Sequence, residues 1–145
     1  MPVVFVDLGK GFFAPFIAMK MVEAFEPSYD WLPLVAGLLA ILGHSFTCFA
    51  GFRGGKGVLT ALGVFLALCP ITALASFAIW ILLVVTTKYV SVGSIIALLI
   101  SPFLMYFFKS PIAYICYCAL GAIYIVYLHR ENIKRLIAGN ENKVR

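Results

Sequence analysis

The chain has 145 residues, of which 63% are hydrophobic and 12% charged, with a mean hydropathy of +1.06. A soluble domain carries roughly 45–50% apolar and about 25% charged residues, and a chain of this length cannot hide such an excess in one core, so a soluble globular enzyme and a disordered chain are both excluded. The net charge of +5 lies entirely within residues 88–145, a bias that sets membrane orientation; no basic patch interleaved with aromatics accompanies it, which excludes nucleic acid as a partner.

Residues 1–25 are apolar apart from Asp7, Lys10, Lys20 and Glu23. Asp7 and Lys10 are three apart, so a helix puts both on one face, where they can pair. They form either a buried pair at membrane depth or part of an opening turn at the surface. In the buried case Met1 stands only six residues before Asp7, and the first helix is expected to lack its beginning. No cleavable signal peptide is expected.

Uncharged runs then cover 31–52 (22 residues), 57–87 (31), 89–108 (20) and 110–128 (19). About 20 apolar residues cross a bilayer as a helix, so the first, third and fourth runs each predict one span. The second run would make a helix of about 46 Å, too long for one upright crossing. Pro70 breaks it, which predicts one helix to about residue 69 and another from 70 to 87. The expected fold is all-α and polytopic, with about six transmembrane segments. With Arg53, Lys56 and the basic tail on the cytoplasmic side, the number of crossings between them closes. Glu23, Glu26 and Asp30 then fall outside, Trp31 is an interfacial aromatic, and Lys109 is an exception to the charge rule. Residues 1–128 are read as the bundle, with a cytoplasmic Gly-rich loop at 51–57, and 129–145 as a cytoplasmic C-terminal segment of the same domain.

Chemistry-bearing residues gather near the charged boundaries. Gly51-Phe-Arg53-Gly54-Gly55-Lys56-Gly57 leads directly into a predicted helix from Val58. Glycines let backbone N–H groups converge, a helix N-terminus adds unpaired donors, and Arg53 and Lys56 add charge, which together make a phosphate cradle. The alternative is a plain Gly-rich turn with basic topology markers. It is not a Walker A loop, because the glycine spacing differs and Gly57 stands where a magnesium-binding hydroxyl would be. His44, two helical turns earlier, reads as a hydrogen-bonded structural residue more readily than as a catalyst. Ser91 and Ser94 share a helix face; helix capping by Ser91 is the simpler reading. His129 and Asn132 share a face where the last span meets the cytoplasm, within a basic segment that could equally lie solvated against anionic lipid. Cys48, Cys69, Cys116 and Cys118 sit in apolar runs without metal-ligand spacing and read as small buried hydrophobes.

Taken together, these segments resemble a known family. Gly43-His44-Ser45-Phe46 followed by Gly51 to Gly57 and Thr60 is similar to the second signature of the bacterial acyl-phosphate:glycerol-3-phosphate acyltransferases, the PlsY family. His129-Arg130-Glu131-Asn132-Ile133-Lys134-Arg135-Leu136, with Gly139 and Glu141, resembles the third signature. Asp7-Leu8-Gly9-Lys10-Gly11 is similar to a DxxKG element of the family's second helix, and Ser91-Val92-Gly93-Ser94 to its paired serines. Thr47 stands where the family often has proline. The family's additional first helix, with its serine- and arginine-bearing loop, has no counterpart here, so about six segments are expected against the family's seven.

The resemblance implies transfer of a fatty acyl group from acyl phosphate to the sn-1 hydroxyl of glycerol 3-phosphate, giving lysophosphatidic acid at the cytoplasmic face of the bacterial inner membrane. It implies that Gly54, Gly55, Lys56 and Gly57 hold a phosphate, with Arg53 adding positive charge. Ser91, Ser94, His129 and Asn132 would line the pocket, and Glu141 would hold the C-terminal segment. Asp7, Lys10 and His44 are assigned structural roles. Acyl phosphate is already activated, so positioning and charge stabilisation suffice; no metal and no cofactor is expected. Membrane lipid is an expected partner, as is the enzyme supplying acyl phosphate. The competing expectations are an inactive truncated member of the same fold and a small transporter or channel subunit.

Overall fold

The computed structural model describes residues 2–25, 27–46 and 54–144, and these are helical almost throughout. The helices are α1 (Pro2–Phe25), α2 (Leu32–Ser45), α3 (Val58–Leu68), α4 (Pro70–Thr87), α5 (Val90–Phe107), α6 (Ile112–Leu128) and α7 (Arg130–Ile137), with a short 3₁₀ turn at Pro27–Tyr29. The six expected segments correspond in order to α1 to α6, with α2 ending well short of the expected 52. The long uncharged run does break at Cys69, where α3 ends and Pro70 opens α4. Proline suits a first helical position, because its missing N–H would have no partner there.

Lengths separate these helices. α4 and α5, 18 residues each, are long and apolar enough to cross a membrane, and α6 with α7 forms a third candidate bent by 58°. α2 and α3 have 14 and 11 residues, or about 21 and 16 Å at 1.5 Å per residue, short of a hydrocarbon core of about 30 Å. Within the run at 31–52, α2 ends at Ser45 and Phe46 turns out of the helix (φ −112°, ψ 41°); residues 47–53 lie outside the described residues. Large apolar side chains such as Phe5, Leu39, Ile71, Leu82, Phe103, Ile112 and Leu120 are exposed along the helices, the pattern of a lipid-facing surface rather than an aqueous one.

The chain divides into two compact units, Met1–Pro70 and Ile71–Arg145. In the first, α1 packs against both α3 and α2. Small residues make the α1–α3 approach possible: a Cβ on Gly11 would collide with the backbone of Thr60, and one on Gly63 would collide with the Leu8 carbonyl and the Phe12 backbone. Close approach of this kind drives helix association in lipid, where hydrophobic burial gives no preference between helix and acyl chain. Pro15, Ala61, Val64 and Phe65 fill the interior beside it.

In the second unit α5 packs on α6. α4 meets α5 through polar contacts placed symmetrically about the turn at 88–89. Ser76 and Ser101 share a hydrogen bond (Oγ–Oγ 3.2 Å), and the Ser101 hydroxyl donates onward to the Ala97 carbonyl at 2.6 Å. The turns at either end of α5 place Lys88 (φ 63°) and Lys109 (φ 56°) in the left-handed region, which disfavours any side chain with a Cβ. Trp31, half exposed and edge-on to Tyr29, begins α2 as an aromatic of the kind found at membrane interfaces.

Candidate functional site

Among the described residues, chemistry-bearing polar groups gather in both units. In the first, Gly54 and Gly55 lie across the C-terminal end of α2. The Gly54 N–H donates to the Ser45 carbonyl at 3.1 Å. A Cβ on Gly54 would strike the His44 and Ser45 carbonyl oxygens, and one on Gly55 would strike the His44 imidazole. Gly57 then turns the chain with φ 78° and precedes α3 without a side-chain cap. The first N–H groups of α3 lack intrahelical partners, and its positive dipole end lies beside Lys56, which is exposed. This arrangement favours an anion. Arg53, expected to add charge to the loop, lies outside the described residues, as do Gly51, Thr47 and Cys48.

Beneath this loop, the Lys10 ammonium donates to Asp7 Oδ1 at 2.6 Å and to His44 Nδ1 at 2.8 Å. Asp7 and Lys10 therefore pair across one helix turn, and Asp7 is largely withdrawn from solvent, its side chain 14% exposed. His44 is thus joined to α1 through Lys10.

In the second unit, the Glu141 carboxylate gathers three donors. Oε1 accepts from Ser91 Oγ (2.8 Å) and Asn132 Nδ2 (2.7 Å), and Oε2 accepts from Arg135 Nε (2.7 Å). Those bonds, led by the Asn132 amide, hold the carboxyl at a pKa of about 2 against the opposing effect of burial. The Val144 N–H donates to the Lys88 carbonyl at 2.8 Å, so the tail is fastened at two places. Ser91 does not cap α5; Tyr89 holds the cap position and Ser91 is a buried residue inside the helix. The Ser94 hydroxyl donates to the Val90 carbonyl at 2.9 Å and accepts from the Trp80 indole at 3.1 Å.

His129, buried at the bend between α6 and α7, has its Nδ1 2.8 Å from the Ile125 carbonyl. A carbonyl oxygen can only accept, so Nδ1 carries a proton. Ser91, Asn132 and Glu141 thus meet directly, His129 opens the same short helix as Asn132, and Ser94 is one turn from Ser91. The proton of Ser91 points at a carboxylate too weakly basic to remove it, and that of Ser94 at a carbonyl. Neither arrangement activates a serine nucleophile.

Arg135 and Trp80 were not singled out from sequence. Trp80 could have been: in an antiparallel hairpin turning at 88–89 it falls near the level of Ser94. Arg135 lies one turn beyond Asn132, within reach of any carboxylate that Asn132 binds. Of the cysteines read as small buried hydrophobes, Cys118 is buried, Cys69 is partly covered and Cys116 is exposed, so that reading holds for Cys118 and fails for Cys116.

These features define a polytopic helical membrane protein with an anion-favouring loop in one unit and a carboxylate-centred polar cluster in the other. A family model described as glycerol-3-phosphate acyltransferase matches residues 1–139. A glycerol-3-phosphate acyltransferase of Fusobacterium nucleatum is 43% identical over 141 residues, covering 97% of this chain and 70% of that one. One of Shouchella clausii is 40% identical over 146 residues, covering 98% and 70%. The crystal structure of PlsY (YgiH), an integral membrane glycerol 3-phosphate acyltransferase in its glycerol 3-phosphate form, superposes with a TM-score of 0.88 at 37% identity, covering 99% of this chain and 70% of that one. A second structure of that protein, in its lysophosphatidic acid form, gives the same TM-score. The chain belongs to the glycerol-3-phosphate acyltransferase family.

Proposed function

We propose that this protein transfers a fatty acyl group from acyl phosphate to the sn-1 hydroxyl of glycerol 3-phosphate, forming lysophosphatidic acid for phospholipid synthesis. The observation that carries this is the family match across nearly the whole chain, joined to a fold shared with a protein solved in glycerol 3-phosphate and lysophosphatidic acid forms. In the reaction the hydroxyl oxygen attacks the acyl carbonyl carbon, a C–O ester bond forms, the bond from acyl carbon to phosphate oxygen breaks, and inorganic phosphate leaves.

Residue roles follow from the chemistry. Gly54, Gly55, Lys56 and Gly57, with Arg53, hold a phosphate and neutralise its charge. His129, its Nδ1–H directed to a carbonyl, offers Nε2 to the proton of the attacking hydroxyl. Asn132, Ser91 and Ser94 orient polar groups, and Glu141 fixes Asn132 and Ser91. The leaving group is already good, so no acyl-enzyme is needed. The working face is cytoplasmic and the membrane is the bacterial inner membrane, as the basic tail supports. A membrane-bound enzyme with so apolar a co-substrate is served by contact with the enzyme that makes acyl phosphate.

Membranes containing the chain are expected to form lysophosphatidic acid from acyl phosphate and glycerol 3-phosphate faster than control membranes. Lys56→Ala is expected to reduce the rate about 100-fold with unchanged insertion, in keeping with loss of a fixed charge at a reacting phosphate. Wild-type membranes no faster than controls would overturn the activity; an unaffected Lys56→Ala would overturn the loop's role alone.

A further inference from the structure

Within the first unit, three ionisable side chains from two helices converge directly beneath the Gly-rich loop. Lys10 reaches Asp7 (2.6 Å) on its own helix and His44 Nδ1 (2.8 Å) on α2, and His44 Nδ1 stands 3.3 Å from Asp7 Oδ1. An ammonium only donates, so Nδ1 must accept from Lys10. The single proton of the neutral imidazole is then on Nε2. The Nε2 edge is the edge turned to the loop: a Cβ built on Gly55 would meet Nε2 and then Cε1 of this ring. The ring itself is largely buried, 14% exposed.

We propose that His44 is a positioning residue of the phosphate loop, held by the Asp7–Lys10 pair as the Nε2–H tautomer with that edge against Gly55. The inference rests on the reading of 54–57 as the phosphate loop and adds what holds the loop in shape. Lys10 supplies the selection: with it in place Nδ1 cannot carry the proton, whereas without it Nδ1–H would turn to the Asp7 carboxylate and Nε2 would lose its hydrogen. A buried, oriented ring fixes the path of Gly54 and Gly55 over the end of α2, and a pre-shaped loop binds phosphate without first being ordered.

The decisive comparison uses two replacements close to histidine in volume, in the full chain in its membrane. His44→Gln retains an N–H near the Nε2 place; His44→Asn retains an acceptor at the Nδ1 place and presents nothing to Gly55. Lys56→Ala first identifies which substrate the loop holds, by which KM it raises. For that substrate His44→Asn is expected to raise KM about tenfold with kcat within about threefold, while His44→Gln stays within about threefold of wild type. Gly55→Ala is expected to raise the same KM, and adding it to His44→Ala to cost no more than the larger single change, because the added methyl enters the vacated space. Rescue by Asn but not Gln, or additive costs in the double variant, would overturn the proposal and leave His44 as a partner for Lys10 alone. A raised KM in Lys56→Ala with unchanged KM in every His44 variant would overturn it while sparing the loop; no effect of Lys56→Ala would remove the loop reading first. Should turnover be absent from wild type, the same variants are compared by their affinity for inorganic phosphate, with the same expected order.

Discussion

Glu141 concentrates much of the second unit's polar chemistry in one carboxylate. Its pKa in the folded protein, about 2, lies below the ordinary 4.5, so its contribution to stability is complete above about pH 4.5 and is lost as pH falls from there through about 2. Thermal unfolding in detergent is expected to show this loss across that interval, and Glu141→Gln to remove it; an identical acid profile in the variant would refute the assignment. The same substitution is expected to lower activity, since Ser91 and Asn132 would each lose their charged partner. His129→Gln is expected to lower kcat by about 100-fold or more, within the range for loss of a positioned proton acceptor, with little change in either KM. The short spacing of His129 to Asn132 was enough to put both on one face. The convergence of Glu141 on Ser91, fifty residues earlier, has no local signature: it depends on how the tail folds back, and the resemblance implied only that Glu141 holds the C-terminal segment.

Among the helices, proline and charge were the dependable signals. Pro70 divides the long apolar run where the structure divides it, and the charges at 88 and 109 bound α5. Length was the weaker guide, because an uncharged run sets the most a helix can have and not where it stops: α2 ends at Ser45 although the run continues to 52. Two packing predictions belong here. Gly63→Ala inserts a methyl into the Leu8 and Phe12 backbone, where no flexible side chain can yield, and is expected to destabilise the first unit by about 1–3 kcal/mol. Ser101→Ala removes a polar contact between α4 and α5 and is expected to cost only about 0.6 kcal/mol, a usual value for such bonds within a membrane. Unfolding in mixed micelles by added denaturing detergent compares the two; a larger loss from Ser101→Ala would contradict this ranking.

At the scale of the whole chain, composition was sufficient to assign the bilayer as solvent, and two multi-residue segments were sufficient to assign a family. The proposed sidedness rests on charge and is tested directly: trypsin added to inverted inner-membrane vesicles is expected to cleave within 129–145, while right-side-out vesicles are expected to protect that segment. Cleavage from the outer side would reverse the proposed orientation. The two lysines with positive φ bear on this as well. Asparagine or glycine would suit either turn better, yet both turns keep a cation. The 18 residues of α5 between them span about 27 Å, close to the thickness of the hydrocarbon core, about 30 Å. A charge at each end resists displacement in either direction, since sliding would draw one ammonium into the acyl chains. The two lysines thus act on α5 like a bolt with a head on each side, and favour one depth for Ser91 and Ser94.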